Sequence, residues 1–249
     1  MYQKIIKKII ELGDLLPAVT GRILELETDI GSLNKNDIEI ETELANLIHT
    51  FSGEHSIYAE ELHNTFVTND NVWVIDPISN TKNFIQGMPH YSIVLTHLHK
   101  GNAQFAAVYD PSSKELFTAE KGRGAFLNGK KIHVSNRTKK LFFLVGFPGG
   151  QYEKKILKII EAVSSGGNHV RMIGSFGVHY AYVACGRADV ALSFNNDTFP
   201  EFAGELLVSE AGGKFTDFAG GALNIRTDGI IASNGLVHDQ IKNVIAGVV

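Results

Sequence analysis

One acidic residue stands where the chain could place chemistry. The apolar run Val72-Trp73-Val74-Ile75 leads into Asp76, and Pro77 and a polar turn follow. A short apolar run of this kind predicts a buried strand. Pro77 has no N–H group and a fixed φ, so we expect the strand to end there. The carboxyl end of a buried strand is a common location for reactive groups in α/β proteins. The spacing leaves one alternative open, in which Asp76 is a solvated cap of the next helix.

A second candidate carboxylate is Glu54, in the polar turn that follows Phe51. Gly53 lets the backbone bend tightly, so the side chain of Glu54 could point inward. His55 beside it is a candidate extra ligand or acid. The glutamates of the preceding helix are interpreted as a solvated acidic face; they are Glu39, Glu41 and Glu43.

The elements that must position these residues alternate between helices and strands. Helical periodicity covers residues 2–27, where Pro17 predicts a kink or break, and residues 37–50. Residues 60–71 are predicted to be an exposed loop or a short helix. Further strands are predicted at 91–99, 103–109, 116–119, 141–147, 170–173, 190–194 and 230–232, and further helices at 152–163, 178–185, 203–211 and 238–248. This order predicts sheets layered between helices.

Composition excludes several classes of protein. The 249 residues are 44% hydrophobic and 20% charged, an ordinary globular balance that argues against disorder. The net charge of −4 indicates no basic surface, so nucleic acid is not expected as a partner. Cys185 is the lone cysteine, which excludes an intramolecular disulfide and fits a reducing cytoplasm. No apolar run approaches the roughly 20 residues of a membrane span, and the N-terminus does not look like a signal peptide, so we expect a soluble cytoplasmic protein.

Four motifs in order give the chain a resemblance to the inositol monophosphatase family of metal-dependent phosphatases. They are Gly53-Glu54, residues 73–84 with Asp76-Pro77-Ile78, residues 122–129, and Glu210-Ala211-Gly212-Gly213. The resemblance covers nearly the whole chain. It implies an α/β (α+β) fold, a layered α-β-α-β-α sandwich in one domain over residues 1–249. Residues 1–140 would form an N-terminal α+β half and residues 141–249 a C-terminal α/β half.

The resemblance also implies an activity and a cofactor. Family members hydrolyse phosphate monoesters with two or three Mg²⁺ ions, and they are often homodimers. The expected ligand is therefore a small phosphorylated metabolite. The resemblance assigns a first Mg²⁺ to Glu54, Asp76 and the carbonyl of Ile78, which are hard oxygen ligands. It assigns the orientation of the attacking water to Glu43 with Thr81.

The match to the family is incomplete at the second metal ion. Ser79 stands where the family has an acid, Asn80 replaces a glycine, and Pro200 replaces an aspartate. One or two negative charges are missing there, so we expect the second ion to be weak or absent. Glu201 and Asp197 are the candidates that could compensate, although neither is in register.

The same comparison of motifs suggests a substrate-binding set. The phosphate would contact Ser79, Asn80 and Thr81, and the rest of the substrate would contact Gly174 and Ser175. Ser193 replaces an acid that binds inositol hydroxyls in some members, which argues against myo-inositol phosphate as a specific substrate. An alternative interpretation of Ser193 is an ordinary residue at the end of a strand.

Three functions remain open on the sequence. The first is a divergent Mg²⁺-dependent phosphomonoesterase with one strong metal site. The second is a catalytically silent relative that binds a phosphorylated ligand or a protein partner. The third is a different reaction in the same pocket, with Ser79 or His55 as the reactive group, which no residue pattern singles out.

Overall fold

The computed structural model describes residues 1–21, 35–51, 53–146, 153–194, 199–223 and 229–248. Two sheets alternate with three layers of helices, so the α-β-α-β-α sandwich predicted from the sequence is confirmed. The strands of the first sheet lie before residue 140 and those of the second after residue 141.

The first sheet has seven strands in chain order. They are β1 (Ser56–Ala59), β2 (Asn71–Ser79), β3 (Ser92–His99), β4 (Asn102–Asp110), β5 (Glu115–Glu120), β6 (Gly124–Leu127) and β7 (Lys130–Ile132). β1 pairs with β2 in parallel, and every later neighbouring pair is antiparallel.

The second sheet has five strands: β8 (Phe142–Val145), β9 (His169–Arg171), β10 (Val190–Ser193), β11 (Lys214–Asp217) and β12 (Ile230–Ser233). Their order is β11-β12-β10-β8-β9, and β8 is parallel to both of its neighbours.

The helices of the described residues are α1 (Tyr2–Gly13), α2 (Lys35–Phe51), α3 (Thr81–Ile85), α4 (Glu153–Ser164), α5 (Phe176–Ala184), α6 (Phe199–Glu210) and α7 (His238–Ala246). α1 and α2 cover one face of the first sheet, α5 and α6 fill the space between the sheets, and α4 and α7 cover the outer face of the second. None of these helices is both long and apolar enough to span a bilayer.

The first helix ends earlier than the periodicity predicts. α1 buries Ile5, Ile9 and Leu12 and stops at Gly13, where a Cβ atom would lie 2.5 Å from the ring of Tyr109. The predicted break at Pro17 is present as a 3-10 turn at Leu16–Ala18. The remainder of the predicted helix, residues 22–27, lies outside the described residues.

Pro77 does not end β2, so this prediction was wrong. The strand continues to Ser79, and its register on β3 shifts between Asp76, opposite Val94, and Ser79, opposite Ser92. Two residues of β2, Pro77 and Ile78, therefore lie opposite one residue of β3, Ile93, which is a β-bulge. A bulge accommodates Pro77 because the extra residue makes no regular ladder hydrogen bond there.

Two of the sequence motifs meet in one structural contact. The carboxylate of Glu210, at the end of α6, accepts hydrogen bonds from the N–H groups of Gly122 (2.7 Å) and Gly124 (2.8 Å). Gly124 has a φ of +94°, a left-handed conformation that favours glycine. The paired glycines and the glutamate thus join the first sheet to α6.

Two buried histidines are kept neutral by the fold. His179 of α5 is fully buried, and neither ring nitrogen has a hydrogen-bond partner among the described residues. Burial, and to a smaller extent His90, lowers the pKa of His179 from 6.5 to about 3. His238 lies between the hydroxyls of Thr216 and Ser233, each 2.9 Å away. Burial, and then Lys214, lowers its pKa to about 4.

These two histidines predict sensitivity to acid. A histidine with a lowered pKa contributes full stability above the unfolded pKa of 6.5, and this contribution is lost as the pH falls towards the folded value. Each should cost about 2 kcal/mol of unfolding free energy between pH 7 and pH 5. Urea unfolding at the two pH values measures this loss. His179→Leu should reduce the loss, and an equal loss in the variant would contradict the assignment to His179.

Candidate active site

Asp76 points into the layer between the two sheets. Its side chain shares a face of β2 with Val72 and Val74, which pack against Phe202 of α6. Trp73 and Ile75 occupy the opposite face with α1 and α2. Asp76 is only 2% exposed. The structure therefore favours an inward carboxylate over the alternative of a solvated helix cap.

The structure does not bring Glu54 to Asp76. Ser56 pairs with Val72, so Glu54, which precedes β1, lies at the level of Asp70. Six residues of extended strand separate that level from Asp76, a distance of about 20 Å. The backbone carbonyl of Glu54 accepts a hydrogen bond from Asn69 at 2.8 Å. Glu54 thus stands at the opposite end of the sheet from the candidate site.

Glu60, and not Glu54, lies at the level of Asp76 in the first sheet. Ala59 pairs with Ile75 in the parallel ladder, so the next residue on each strand, Glu60 and Asp76, reaches the same level. Tyr58 stacks on Phe199 of α6, with ring centroids 4.6 Å apart, so Glu60, two residues later, starts from the same face as Asp76. The register therefore brings Glu60 and Asp76 to the carboxyl ends of two neighbouring strands. No local sequence signal identifies Glu60, because only the pairing of β1 with β2 shows which acid lies at the level of Asp76.

Glu41 fixes the segment that follows Glu60. Its buried carboxylate accepts hydrogen bonds from the N–H groups of Glu61 (2.9 Å) and Leu62 (3.0 Å) and lies 2.6 Å from the ring of His63. Glu41 is not part of a solvated acidic face, and that interpretation was wrong for this residue. Its partners lie in a loop after β1, and the contact of this loop with α2 is not visible in the sequence.

Glu43 and Asp37 occupy different sides of α2. Glu43 pairs with Lys8 of α1 at 3.0 Å and keeps 46% of its side chain exposed. It lies roughly 200° around the helix axis from Glu41, away from the segment that carries Glu60. Asp37 lies one turn before Glu41 on the same face, and it is fully buried. Asp37, and not Glu43, is therefore the second buried acid on the Glu41 face of α2.

The loop after Asp76 has a defined conformation. The carbonyl of Ile78 accepts a hydrogen bond from the hydroxyl of Thr81 at 3.0 Å, and a carbonyl retains a second lone pair for another partner. Asn80 has a φ of +71°, in the left-handed region that asparagine tolerates better than most residues. Asparagine can thus take the place of the glycine at this turn.

Three serine hydroxyls form a buried chain beside the loop. The hydroxyl of Ser175 lies 3.3 Å from that of Ser79 and 3.0 Å from that of Ser92. Ser175 also caps α5, because its hydroxyl accepts a hydrogen bond from the N–H of Val178 at 3.4 Å. The structure therefore brings together Ser79 and Ser175, two residues of the predicted substrate-binding set. The neutral hydroxyl of Ser79 stands where the family resemblance implies an acid.

Glu201 is the compensating candidate that the structure describes, and it joins no cluster of metal-ligating side chains among the described residues. Glu201 is fully buried, and its Oε1 accepts hydrogen bonds from Ser193 (3.1 Å) and Tyr180 (3.5 Å). Asp197 lies outside the described residues. His55 accepts a hydrogen bond from the indole of Trp73 at 3.0 Å, on the sheet face that α1 and α2 cover. Across the described ranges, no three Asp, Glu, His or Cys side chains converge as metal ligands.

Comparison with known proteins identifies the family. The model of the inositol monophosphatase family matches residues 22–248. The chain belongs to this family. It is 35% identical over 247 residues to the fructose-1,6-bisphosphatase/inositol-1-monophosphatase of Thermotoga maritima, covering 98% of this chain and 95% of that protein. It is 38% identical over 186 residues to Nus factor SuhB of Escherichia coli, covering 73% of this chain and 70% of that protein.

Solved structures agree with this assignment. The extragenic suppressor protein suhB of Bartonella henselae superposes with a TM-score of 0.91 at 25% identity, covering 100% of this chain and 99% of that one. The Thermotoga maritima IMPase superposes with a TM-score of 0.89 at 33% identity, covering 98% and 95%. The inositol monophosphatase fold predicted from the four motifs is thereby confirmed.

Proposed function

We propose that this inositol monophosphatase family member binds the phosphate group of a small phosphorylated metabolite together with Mg²⁺ and hydrolyses the ester slowly. The observation that carries the proposal is the pairing of Ala59 with Ile75, which places Glu60 beside Asp76. These carboxylates and the carbonyl of Ile78 are the hard oxygen ligands that Mg²⁺ prefers. The residues present therefore fit one Mg²⁺ ion. A second ion would find Ser79 and Pro200 in place of acids, so its affinity is expected to be low.

The residues around this ion have separate roles in the proposal. A bound Mg²⁺ supplies positive charge that polarises a phosphoryl group. The hydroxyl of Ser79, which accepts a hydrogen bond from Ser175 at 3.3 Å, donates a hydrogen bond to a phosphate oxygen. Thr81 and the backbone N–H of Asn80 act at the same end of the sheet. The name of the Thermotoga maritima relative supports phosphomonoesters as the substrate class.

Asp76→Asn tests this function. The variant keeps the shape of the side chain and removes one of two charges from the ion, so Mg²⁺-dependent phosphate release should fall by about 100-fold or more. The assay measures phosphate released from a panel of small phosphomonoesters at several Mg²⁺ concentrations. Asp70→Asn is the matched control, because Asp70 immediately precedes β2 at its other end. Activity that persists in Asp76→Asn would contradict the proposal.

Asp37 is the proposed residue that orients the attacking water, in place of Glu43. It is buried on the face of α2 that meets the segment after β1, whereas Glu43 pairs with Lys8. Asp37→Asn should lower kcat by about 100-fold with a small change in KM, an effect typical of general acid–base groups. Glu43→Gln should leave both constants unchanged. The reverse pattern would restore the assignment made from the sequence.

A second candidate function is a binding role without turnover, for a phosphorylated ligand or a protein partner. The loss of acids at Ser79 and Pro200 favours it, because both changes affect the same ion. Relatives that carry the name Nus factor SuhB favour it as well. Robust Mg²⁺-dependent hydrolysis of any phosphomonoester by the purified protein would exclude this candidate.

A further inference from the structure

The side chain of Asn80 occupies the space in front of Gly174. Its Nδ2 donates a hydrogen bond to the carbonyl of His90 at 3.2 Å. A Cβ atom built on Gly174 would lie 2.0 Å from the same nitrogen. The amide group therefore packs directly against the backbone of Gly174, and no ligand atom fits between them.

Asn83 holds the same region together. Its Nδ2 lies within hydrogen-bonding distance of three carbonyls, those of Pro89 (2.7 Å), Ile173 (3.0 Å) and His90 (3.3 Å). These contacts join α3, the entrance to β3 and the segment that leads into α5. These contacts hold the backbone around Gly174 in place. Gly174 therefore cannot move away from the amide of Asn80 to make room for a ligand.

We propose that Asn80 is a specificity-determining residue that restricts this site to phosphate esters of small alcohols. The inference rests on the proposed function and names the substrate class for it. Gly174 directly precedes Ser175, whose hydroxyl lies 3.3 Å from that of Ser79, so the amide of Asn80 borders the candidate phosphate site. An alcohol group that extends over Gly174 from the phosphate site meets the amide of Asn80, and a six-membered ring is affected more than a three-carbon chain because it is larger. The family's glycine at this position would leave that space open.

Asn80→Gly tests the inference. Glycine adopts the φ of +71° without strain, so the variant is expected to fold. Calorimetric titrations with Mg²⁺ present would compare glycerol 3-phosphate with glucose 1-phosphate for the unsubstituted protein and the variant. The unsubstituted protein should bind glycerol 3-phosphate more tightly than glucose 1-phosphate. The ratio of the two affinities should be about tenfold smaller in the variant. Asn128→Gly is the matched control, because Asn128 also has a positive φ, 48°, in the turn between β6 and β7.

Each outcome decides the question. A tenfold change of preference in Asn80→Gly, with none in Asn128→Gly, supports the assignment of Asn80. If both variants and the unsubstituted protein show the same preference between the two esters, the assignment of Asn80 is wrong. Binding of the esters by these proteins would still support the proposed function. If neither the unsubstituted protein nor Asn80→Gly binds inorganic phosphate or either ester, the proposed function fails and this inference fails with it.

Discussion

Glu60→Gln should lower the affinity for Mg²⁺ by about 100-fold, because each charge near a divalent ion contributes several kcal/mol at short range. Glu54→Gln should leave the affinity unchanged. The two glutamates flank β1 at opposite ends, and only Glu60 reaches the level of Asp76. The substitution removes a charge and keeps the size of the side chain, so a difference between the variants reports on charge at the ion.

Isothermal titration with Mg²⁺ and Mn²⁺ measures this difference directly and does not depend on turnover. Circular dichroism and the urea midpoint establish that both variants fold. A loss of affinity in Glu54→Gln, with Glu60→Gln unaffected, would contradict the register of β1 on β2. Equal and unchanged affinities in both variants would show that neither glutamate holds the ion.

Ser79→Asp should strengthen metal binding, which is the second large effect that we expect. Ser79 is 4% exposed and lies three residues after Asp76 on β2. An added carboxylate there supplies one of the missing charges, and we expect the affinity for Mg²⁺ to rise about tenfold. Phosphate release should rise with it, because a more strongly held second ion stabilises the leaving oxygen. The rise should be larger in Ser79→Asp combined with Pro200→Asp.

Ser79→Asn is the matched control for this gain, since it has nearly the size of Asp and no charge. Metal titration and phosphate release are measured on both variants at the same pH. If Asp and Asn at residue 79 give the same affinity, charge does not limit binding of the second ion. In that case the weak second site would have to be explained by the shape of the pocket.

The sequence predicted the parts of the site that depend on local pattern. The apolar run before Asp76 identified β2, and the spacing of Ile40, Leu44 and Ile48 identified α2. Glu60 was missed because β1 has four residues in a polar stretch, and only its pairing with β2 shows which acid lies beside Asp76. Such a pairing is set by tertiary contacts that a local pattern does not contain.

The error at Pro77 has a similar origin. Its missing N–H group argues for the end of a strand, yet the register shift between Asp76 and Ser79 removes the need for that group. The helix acids were misassigned because adjacent glutamates on a helix face different directions. Glu41 is buried and Glu43 is exposed, although two positions separate them.

The contacts of Glu41 have a consequence for how this chain could diverge. Glu41 holds the backbone of Glu61 and Leu62 through two hydrogen bonds, so the loop after β1 keeps its shape without help from a metal ion. A substitution of Glu60 or Asp76 would therefore leave these hydrogen bonds of Glu41 in place. Selection for stability and selection for turnover then act on separate residues. A family member can therefore lose catalytic activity and keep a binding role while its fold is preserved.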